Sequence, residues 1–168
     1  MACAWRAGAW RDWVTFPDFE EFIALLVAHR VRYLIVGGYA VGFHARPRAT
    51  KDLDVLVDRT AANAVRVQRA LADFLGSDAL DVTTEKLCDP RTLIVLGRSP
   101  VRIDILTSID GLTSFRAAWS RRVIGRYGDT NASFISAEDL VRAKLASARP
   151  QDLVDVDVLR RVIARRRN

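Results

Sequence analysis

The chain has 168 residues, half of them hydrophobic and 27% charged, with a formal net charge of +6. This composition is that of an ordinary globular protein, and the length favours one domain. No apolar run reaches the roughly 18 residues that span a bilayer, and the start lacks the apolar segment of a secretory signal. We therefore expect a cytoplasmic protein with no membrane partner.

The few cysteines and histidines restrict the kinds of metal site that the chain can form. Cys3 and Cys88 are far apart, and His29 and His44 are the two histidines. These residues exclude a disulfide framework and a zinc-like cluster, so any metal would be a hard cation held by carboxylates. The positive balance favours nucleotides or RNA as partners. Much of the positive charge lies in the arginines near the C-terminus. The alternative to an anionic partner is that these arginines form only a solvated face of a helix.

The first half of the chain alternates predicted helices and strands. We treat residues 1–17 as an N-terminal extension and 18–168 as a single domain. Apolar spacing predicts helices at about 18–29, 39–45 and 61–74, and strands at 33–36 and 52–57. The first strand ends at Gly37-Gly38.

The second half continues this pattern. Strands are predicted at 92–96 and 101–106, and their short connection predicts that they are antiparallel neighbours. Further elements are a helix near 114–119, a strand-like segment at 121–124, a helix opened by a Ser136–Asp139 capping box, and a last helix from 151 to about 166. This order predicts an α/β (α+β) fold in which a mixed sheet is flanked by helices, with further helices at the C-terminus.

Two carboxylates share one face of the predicted strand DLDV. Side chains alternate along a strand, which places Asp52 and Asp54 about 6–7 Å apart on the same side. They would repel by roughly 2–3 kcal/mol at an effective dielectric near 20. A cation must offset this repulsion. Arg48 or Lys51 could supply the charge, and a divalent metal would do so better because each carboxylate becomes a ligand.

A third carboxylate, Asp104, lies in the apolar strand VRIDIL, where it needs a partner or a metal. If this strand neighbours DLDV, three carboxylates converge and can hold two magnesium ions about 3.5–4 Å apart. This interpretation fails if Asp104 faces away, or if an arginine fills the space between the acids.

The glycine pair and three other residues are candidate nucleotide ligands. Gly37 and Gly38 lie between a strand and a helix, where backbone amides can approach a phosphate. Arg48 and Thr50 precede the acids and are candidates for phosphate contact, or else form an ion pair and end a loop. Lys144 either reaches the triphosphate or is an exposed helix lysine.

Other residues favour structural roles. Asp152 and Asp155 share a helix face, which favours ion pairs over substrate contact. For Tyr39, burial is preferred to stacking on a base, and for His44, packing is preferred to ligand binding. The tryptophans of the extension either pack on the domain or mediate self-association; they are Trp5, Trp10 and Trp13.

The three motifs together resemble a known superfamily. VGG at 36–38, DLDV at 52–55 and IDI at 103–105 are similar in order and spacing to the DNA-polymerase-β-like nucleotidyltransferases. More narrowly, these motifs with the closing RPQDLVDVDVL resemble a group of small prokaryotic nucleotidyltransferase-like proteins. Some members of that group are AbiE-type toxins of toxin–antitoxin or phage-defence systems. The resemblance covers about Phe19 to Leu159, although the group frequently has glycine where Ala45 and Ala148 stand, and many members have serine at the position of Gly38.

The resemblance implies a reaction and its residues. Gly37 and Gly38 would cradle a nucleoside triphosphate, Asp52 and Asp54 would bind the nucleotide-bearing Mg²⁺ (or Mn²⁺), and Asp104 would complete a second metal site. A nucleoside monophosphate would pass to a hydroxyl of RNA (such as tRNA), a protein or a small molecule. A cognate antitoxin or toxin is a candidate partner. The alternatives are a catalytically silent domain that binds nucleotide or a partner, and an α/β scaffold whose acids are only salt-bridged.

Overall fold

A computed structural model describes residues 16–45, 50–76, 81–98 and 101–167. Its elements in chain order are α1 (Pro17–Ala28), β1 (Tyr33–Ile35), α2 (Gly37–His44), β2 (Asp52–Val57), α3 (Ala61–Leu75), α4 (Thr84–Cys88), β3 (Leu93–Arg98), β4 (Val101–Leu106), α5 (Phe115–Ser120), β5 (Val123–Tyr127), β6 (Thr130–Phe134), α6 (Ala137–Ser147) and α7 (Pro150–Arg167). Within these ranges, none of the helices has the length and apolar character needed to cross a membrane.

The strands form one mixed sheet in the order β3-β4-β2-β1-β6-β5. Strand β2 pairs in parallel with β4, and β1 pairs in parallel with β6. The other neighbours are antiparallel, including the predicted pair β3 and β4. The mixed-sheet prediction is therefore confirmed, and β2 lies near the centre of the sheet with β4 beside it.

Alternation along the strands separates an apolar side of the sheet from a charged side. Leu53 and Val55 are fully buried, as is Ile105 on β4. They join apolar residues of α1 and α3 in one hydrophobic core. Each fully buried aliphatic side chain of this kind stabilises the fold by roughly 1.5–3 kcal/mol. This core fixes which face of β2 carries Asp52 and Asp54.

Helix α2 begins earlier than the sequence predicted, at Gly37 rather than Tyr39. The Val36 amide donates to the Asp54 carbonyl oxygen at 2.9 Å, so the pairing of β1 with β2 continues up to the helix. Gly37 follows with a φ of 61°, which turns the chain directly into α2. The helix consequently starts beside Asp54.

Two elements, α4 and β6, were not predicted. The sequence of β6, TNASF, has little of the apolar alternation that marks a strand. It forms because it pairs with β5 on one side and with β1 on the other. The strand predicted at 121–124 in fact spans Val123–Tyr127.

Candidate active site

Four charged side chains share the face of the sheet opposite the apolar core. In the parallel pairing of β2 with β4, Asp54 lies beside Asp104 and Asp52 lies beside Arg102. Residues in register on neighbouring strands point to the same side. The structure thus brings together the three acids that the sequence analysis singled out. We call the set Asp52, Asp54, Arg102 and Asp104 the acid face.

Arg102 lies between two of the acids. Its Nη2 donates to Asp52 Oδ2 and to Asp104 Oδ2, both at 3.0 Å. Its Nε lies 2.9 Å from Asp104 Oδ1. The sequence analysis named an arginine in this space as an obstacle to metal binding, but it considered Arg48 and Lys51 as sources of positive charge and missed Arg102. The signal was present, because Arg102 precedes Asp104 by two residues on the same strand and therefore shares its face.

Asp54 is the least neutralised of the three acids. Burial and, to a lesser extent, the negative charges of Asp104 and Asp52 raise its pKa to about 6, against the opposing charges of Lys144 and Arg102. Within the described part of the chain, the Asp54 carboxylate has no ion-pair partner. Among the described residues, the three carboxylates of the acid face are therefore accompanied by one guanidinium, which contacts two of them, and the acid face attracts additional positive charge.

The acid face offers oxygen ligands of the kind that Mg²⁺ and Mn²⁺ prefer. As the side chains stand, no group of three carboxylate, imidazole or thiol side chains in the described ranges is arranged to hold a metal ion. The ion pairs of Arg102 account for the lack of such an arrangement, because Asp52 and Asp104 face the guanidinium instead of a common point. The chemistry of the donors fits a divalent cation on the condition that Arg102 releases these two carboxylates.

Gly37 lies against the acid face. A Cβ atom at this position would overlap the Asp54 carboxylate. Glycine is therefore required both by the positive φ and by the close approach of Asp54. No described side chain caps the amino end of α2. The first-turn amides, including that of Gly38, are thus of the kind that binds anions at a helix start.

Lys144 is buried rather than exposed, which corrects the alternative of a surface lysine. Its Nζ lies 2.6 Å from Asp152 Oδ1 and 2.8 Å from Asp155 Oδ2. These contacts join α6 to α7 and agree with the ion-pair interpretation of the two acids. Lys144 also lies close enough to Asp54 for its charge to lower the pKa of that carboxyl.

Asp139 is a second buried charged residue. The sequence analysis predicted its place in the helix cap but not its ion pairs. The Ser136 hydroxyl accepts from the Asp139 amide at 3.1 Å, as a cap should. The Asp139 carboxylate also accepts from Arg121 Nη2 at 2.8 Å and Arg142 Nη1 at 2.7 Å. Burial raises the pKa of Asp139, but hydrogen bonds from Arg121 and Ser136 outweigh this and hold it below the usual range. We call these two groups of ion pairs, Arg121–Asp139–Arg142 and Lys144–Asp152–Asp155, together the ion-pair cluster.

The remaining candidates have structural contacts or lie outside the described residues. The Thr50 hydroxyl makes a long hydrogen bond of 3.4 Å to the Asp52 carbonyl oxygen. Tyr39 is buried between the rings of Phe19 and Tyr127. His44 is fully buried, and its Nε2 lies 2.6 Å from the Ile135 carbonyl oxygen. Arg48 and the three tryptophans of the N-terminal extension lie outside the described residues.

Comparison with known proteins identifies the family. The fold is similar to that of the lincosamide antibiotic adenylyltransferase LnuA, solved with lincomycin bound, with a TM-score of 0.52 and 16% identity over 89% of this chain and 98% of that chain. It is also similar to an antigenic nucleotidyltransferase-like protein from Paracoccidioides brasiliensis, with a TM-score of 0.43 and 14% identity over 84% of this chain and 75% of that chain. No curated protein sequence matches. Residues 16–164 match the family described as "Nucleotidyltransferase of unknown function (DUF6036)", and the chain belongs to this family of nucleotidyltransferases.

Proposed function

We propose that this protein transfers a nucleoside monophosphate from a nucleoside triphosphate to an acceptor hydroxyl, with a divalent cation held by Asp52, Asp54 and Asp104. One observation carries the proposal: Asp54 lies between Asp104, its partner in register, and Gly37, the first residue of α2. Carboxylates for a cation and helix amides for a phosphate therefore meet at one position.

The reaction is an in-line displacement at the α-phosphorus. The acceptor oxygen forms a bond to the α-phosphorus, the bond to the bridging oxygen breaks, and pyrophosphate leaves with its electron pair. A bound Mg²⁺ or Mn²⁺ would neutralise charge on the phosphates and on the attacking oxygen. The amino end of α2, with Gly37 and Gly38, favours the phosphates of the nucleotide. Asp104 helps to accept the hydroxyl proton.

Among the other predicted nucleotide ligands, Lys144 has the best-supported role. Its ion pairs with Asp152 and Asp155 hold it in place, and its charge acts on Asp54 from the side of α6. We assign it as a positioning residue that joins α6 to α7, with its charge near Asp54. Arg48 and Thr50 remain candidate phosphate contacts.

The acceptor is proposed from three classes: RNA such as tRNA, a protein side chain, or a small molecule. The exposed arginines of α7 favour an anionic acceptor; they are Arg160, Arg161, Arg165 and Arg166. Because the fold is similar to that of a lincosamide adenylyltransferase, we include a hydroxyl-bearing antibiotic among the acceptors to be tested. A role in a toxin–antitoxin or defence system, with a cognate protein partner, completes the proposal.

A second candidate is a catalytically silent domain that binds nucleotide or a partner protein. The ion pairs of Arg102 favour it, because they occupy two of the three carboxylates. Both candidates predict metal-dependent binding of a triphosphate. Release of pyrophosphate together with label transfer is expected only of the enzyme.

The decisive experiment follows the α-phosphate. The protein is incubated with each α-³²P-labelled triphosphate and Mg²⁺ or Mn²⁺, together with total RNA, lysate protein or lincomycin. We expect label transfer that falls at least about 100-fold in Asp54→Asn and Asp104→Asn, the scale expected when a contact that stabilises charge in the transition state is lost. Asp58→Asn, just beyond the end of the same strand, should retain activity. Transfer that survives both active-site substitutions would contradict the proposal, and metal-dependent triphosphate binding without any transfer would favour the silent domain.

A further inference from the structure

Arg102 is the one cation in the described part of the acid face, and the proposed function gives it no role. Its guanidinium forms ion pairs with Asp52 and Asp104 but not with Asp54. It therefore lies at two of the carboxylates that a metal ion would need as ligands, and it leaves the third, Asp54, without an ion-pair partner among the described residues.

We propose that Arg102 occupies the cation position of the acid face in the ligand-free protein and transfers to a phosphate of the incoming nucleotide, so that the metal binds tightly only together with the triphosphate. This inference rests on the proposed function. It adds a regulatory device and a phosphate ligand to the proposed site.

The surroundings of Arg102 permit this exchange. Its side chain is 40% exposed, so movement of the guanidinium does not require the core to open. Its partner in register on β3 is Gly97, which places no side chain beside it on that edge. The guanidinium can therefore swing away from Asp52 and Asp104 toward β3 while it stays on the same face of the sheet.

A phosphate is the ligand that best replaces the two lost ion pairs. The planar guanidinium presents paired N–H donors that match two oxygens of a phosphate as well as those of a carboxylate. A metal ion alone must displace Arg102 without offering it a new partner. A metal–triphosphate complex supplies the replacement cation and the new anionic partner in one step, which couples the two ligands thermodynamically.

Binding of Mn²⁺, measured by electron paramagnetic resonance and calorimetry, tests this coupling without any catalytic turnover. The probe is Mn²⁺ alone, and then Mn²⁺ with the α,β-methylene analogues of the four common triphosphates. In the unaltered protein we expect the analogue to tighten Mn²⁺ binding by about 5- to 150-fold, the usual range for coupled ligands. In Arg102→Gln we expect Mn²⁺ alone to bind at least about fivefold more tightly than it binds to the unaltered protein. We also expect the factor by which the analogue tightens Mn²⁺ binding to fall toward one. Arg102→Lys should keep part of the coupling, because it retains the charge but not the paired donors.

The matched control is Arg126→Gln, an exposed arginine that pairs with Asp129 on the hairpin at the opposite edge of the sheet. It should bind Mn²⁺ like the unaltered protein, and circular dichroism confirms that each variant is folded. Unchanged or weaker Mn²⁺ binding in Arg102→Gln would overturn the inference, because Arg102 would then only orient the carboxylates. Failure of the proposed function gives a different result: Mn²⁺ and the analogue would then bind neither the unaltered protein nor Arg102→Gln, or would bind equally well to Asp54→Asn.

Discussion

The acid face and the ion-pair cluster both bury carboxylates, yet they differ in how far those charges are neutralised. Each contains three acids. The ion-pair cluster sets Arg121, Arg142 and Lys144 against its acids, whereas the acid face has Arg102 alone among the described residues. The pKa values follow this difference: burial and the neighbouring carboxylates raise that of Asp54 to about 6, while paired cations hold that of Asp139 below its usual range despite burial.

This difference indicates what each region is for. Neutralised buried ion pairs fix the relative positions of the segments that supply their members, here α6 with the end of α5 at Arg121, and α6 with α7. A cluster with excess negative charge costs stability in the free protein and recovers it when a cation binds. Excess charge at a fixed geometry is therefore expected of a binding site, and balanced charge of a structural joint.

The largest expected effect concerns the balanced region. Lys144→Met leaves Asp152 and Asp155 facing each other with side chains only 13% and 4% exposed. We expect the free energy of unfolding to fall by about 3–5 kcal/mol, the usual cost of removing one partner of a buried ion pair. Urea unfolding followed by circular dichroism measures this loss.

The control for Lys144 removes the whole charge group. The variant Lys144→Met, Asp152→Asn, Asp155→Asn should recover most of the lost stability, since a neutral cluster of similar volume avoids the desolvation cost. If the single substitution changes the free energy of unfolding by less than about 1 kcal/mol, Lys144 is not the cation that neutralises these acids.

The next effect is smaller and has the opposite sign. Asp54→Asn removes one of three neighbouring negative charges while keeping the side-chain volume. We expect the protein to become more stable by about 1–2 kcal/mol in the absence of metal, as is common when a binding residue under electrostatic strain is replaced. Thermal unfolding of the metal-free protein measures the gain. Asp139→Asn serves as the comparison and should lose stability; a loss in both variants would remove the distinction between the two regions.

The parts of the acid face that depend on local pattern were predictable from the sequence. Strand alternation placed Asp52 and Asp54 on one side, and both β2 and β4 have the predicted bounds. The apolar neighbours of Asp104 identified it as an exception that needed a partner. These inferences need only the period of a strand, and that period is unambiguous in DLDV and VRIDIL.

The contacts of Lys144 with Asp152 and Asp155, and that of Arg102 with Asp52, were not predictable in the same way. Each depends on side chains brought in from another element, which the local pattern does not report. Lys144 was placed on the correct helix, but its burial is decided by the packing of α7 on α6. The backbone conformation of Ala148 also could not be read from the local pattern. Ala148 follows the last residue of α6 with a φ of 50°, a left-handed conformation that glycine adopts more easily than alanine. Alanine at this position therefore costs about 1 kcal/mol.

The smallest effect concerns His44, which joins the two regions. It lies in α2, whose first residue lies against the acid face, and it contacts the Ile135 carbonyl, one residue before the cap of α6. Because a carbonyl can only accept, Nε2 is the donor. Nδ1 is buried with no hydrogen-bond partner among the described residues. Protonation would therefore bury an unpaired N–H group with its charge.

Burial lowers the pKa of His44, and the charge of Arg166 lowers it further, against the opposing effects of the Ile135 hydrogen bond and the charge of Glu138. The imidazole is thus neutral in the folded protein, while the unfolded chain gains a proton near pH 6.5. The stability that His44 contributes is present above that pH and is lost as the pH falls below it. The slope is at most about 1.4 kcal/mol per pH unit for one proton. Urea unfolding between pH 7.5 and 5 measures this slope, which should decrease in His44→Gln but persist in His29→Gln, where the imidazole is partly exposed beside Asp73. If His44→Gln keeps the full slope, another group carries the pH dependence, and the junction between the two regions does not depend on a neutral histidine.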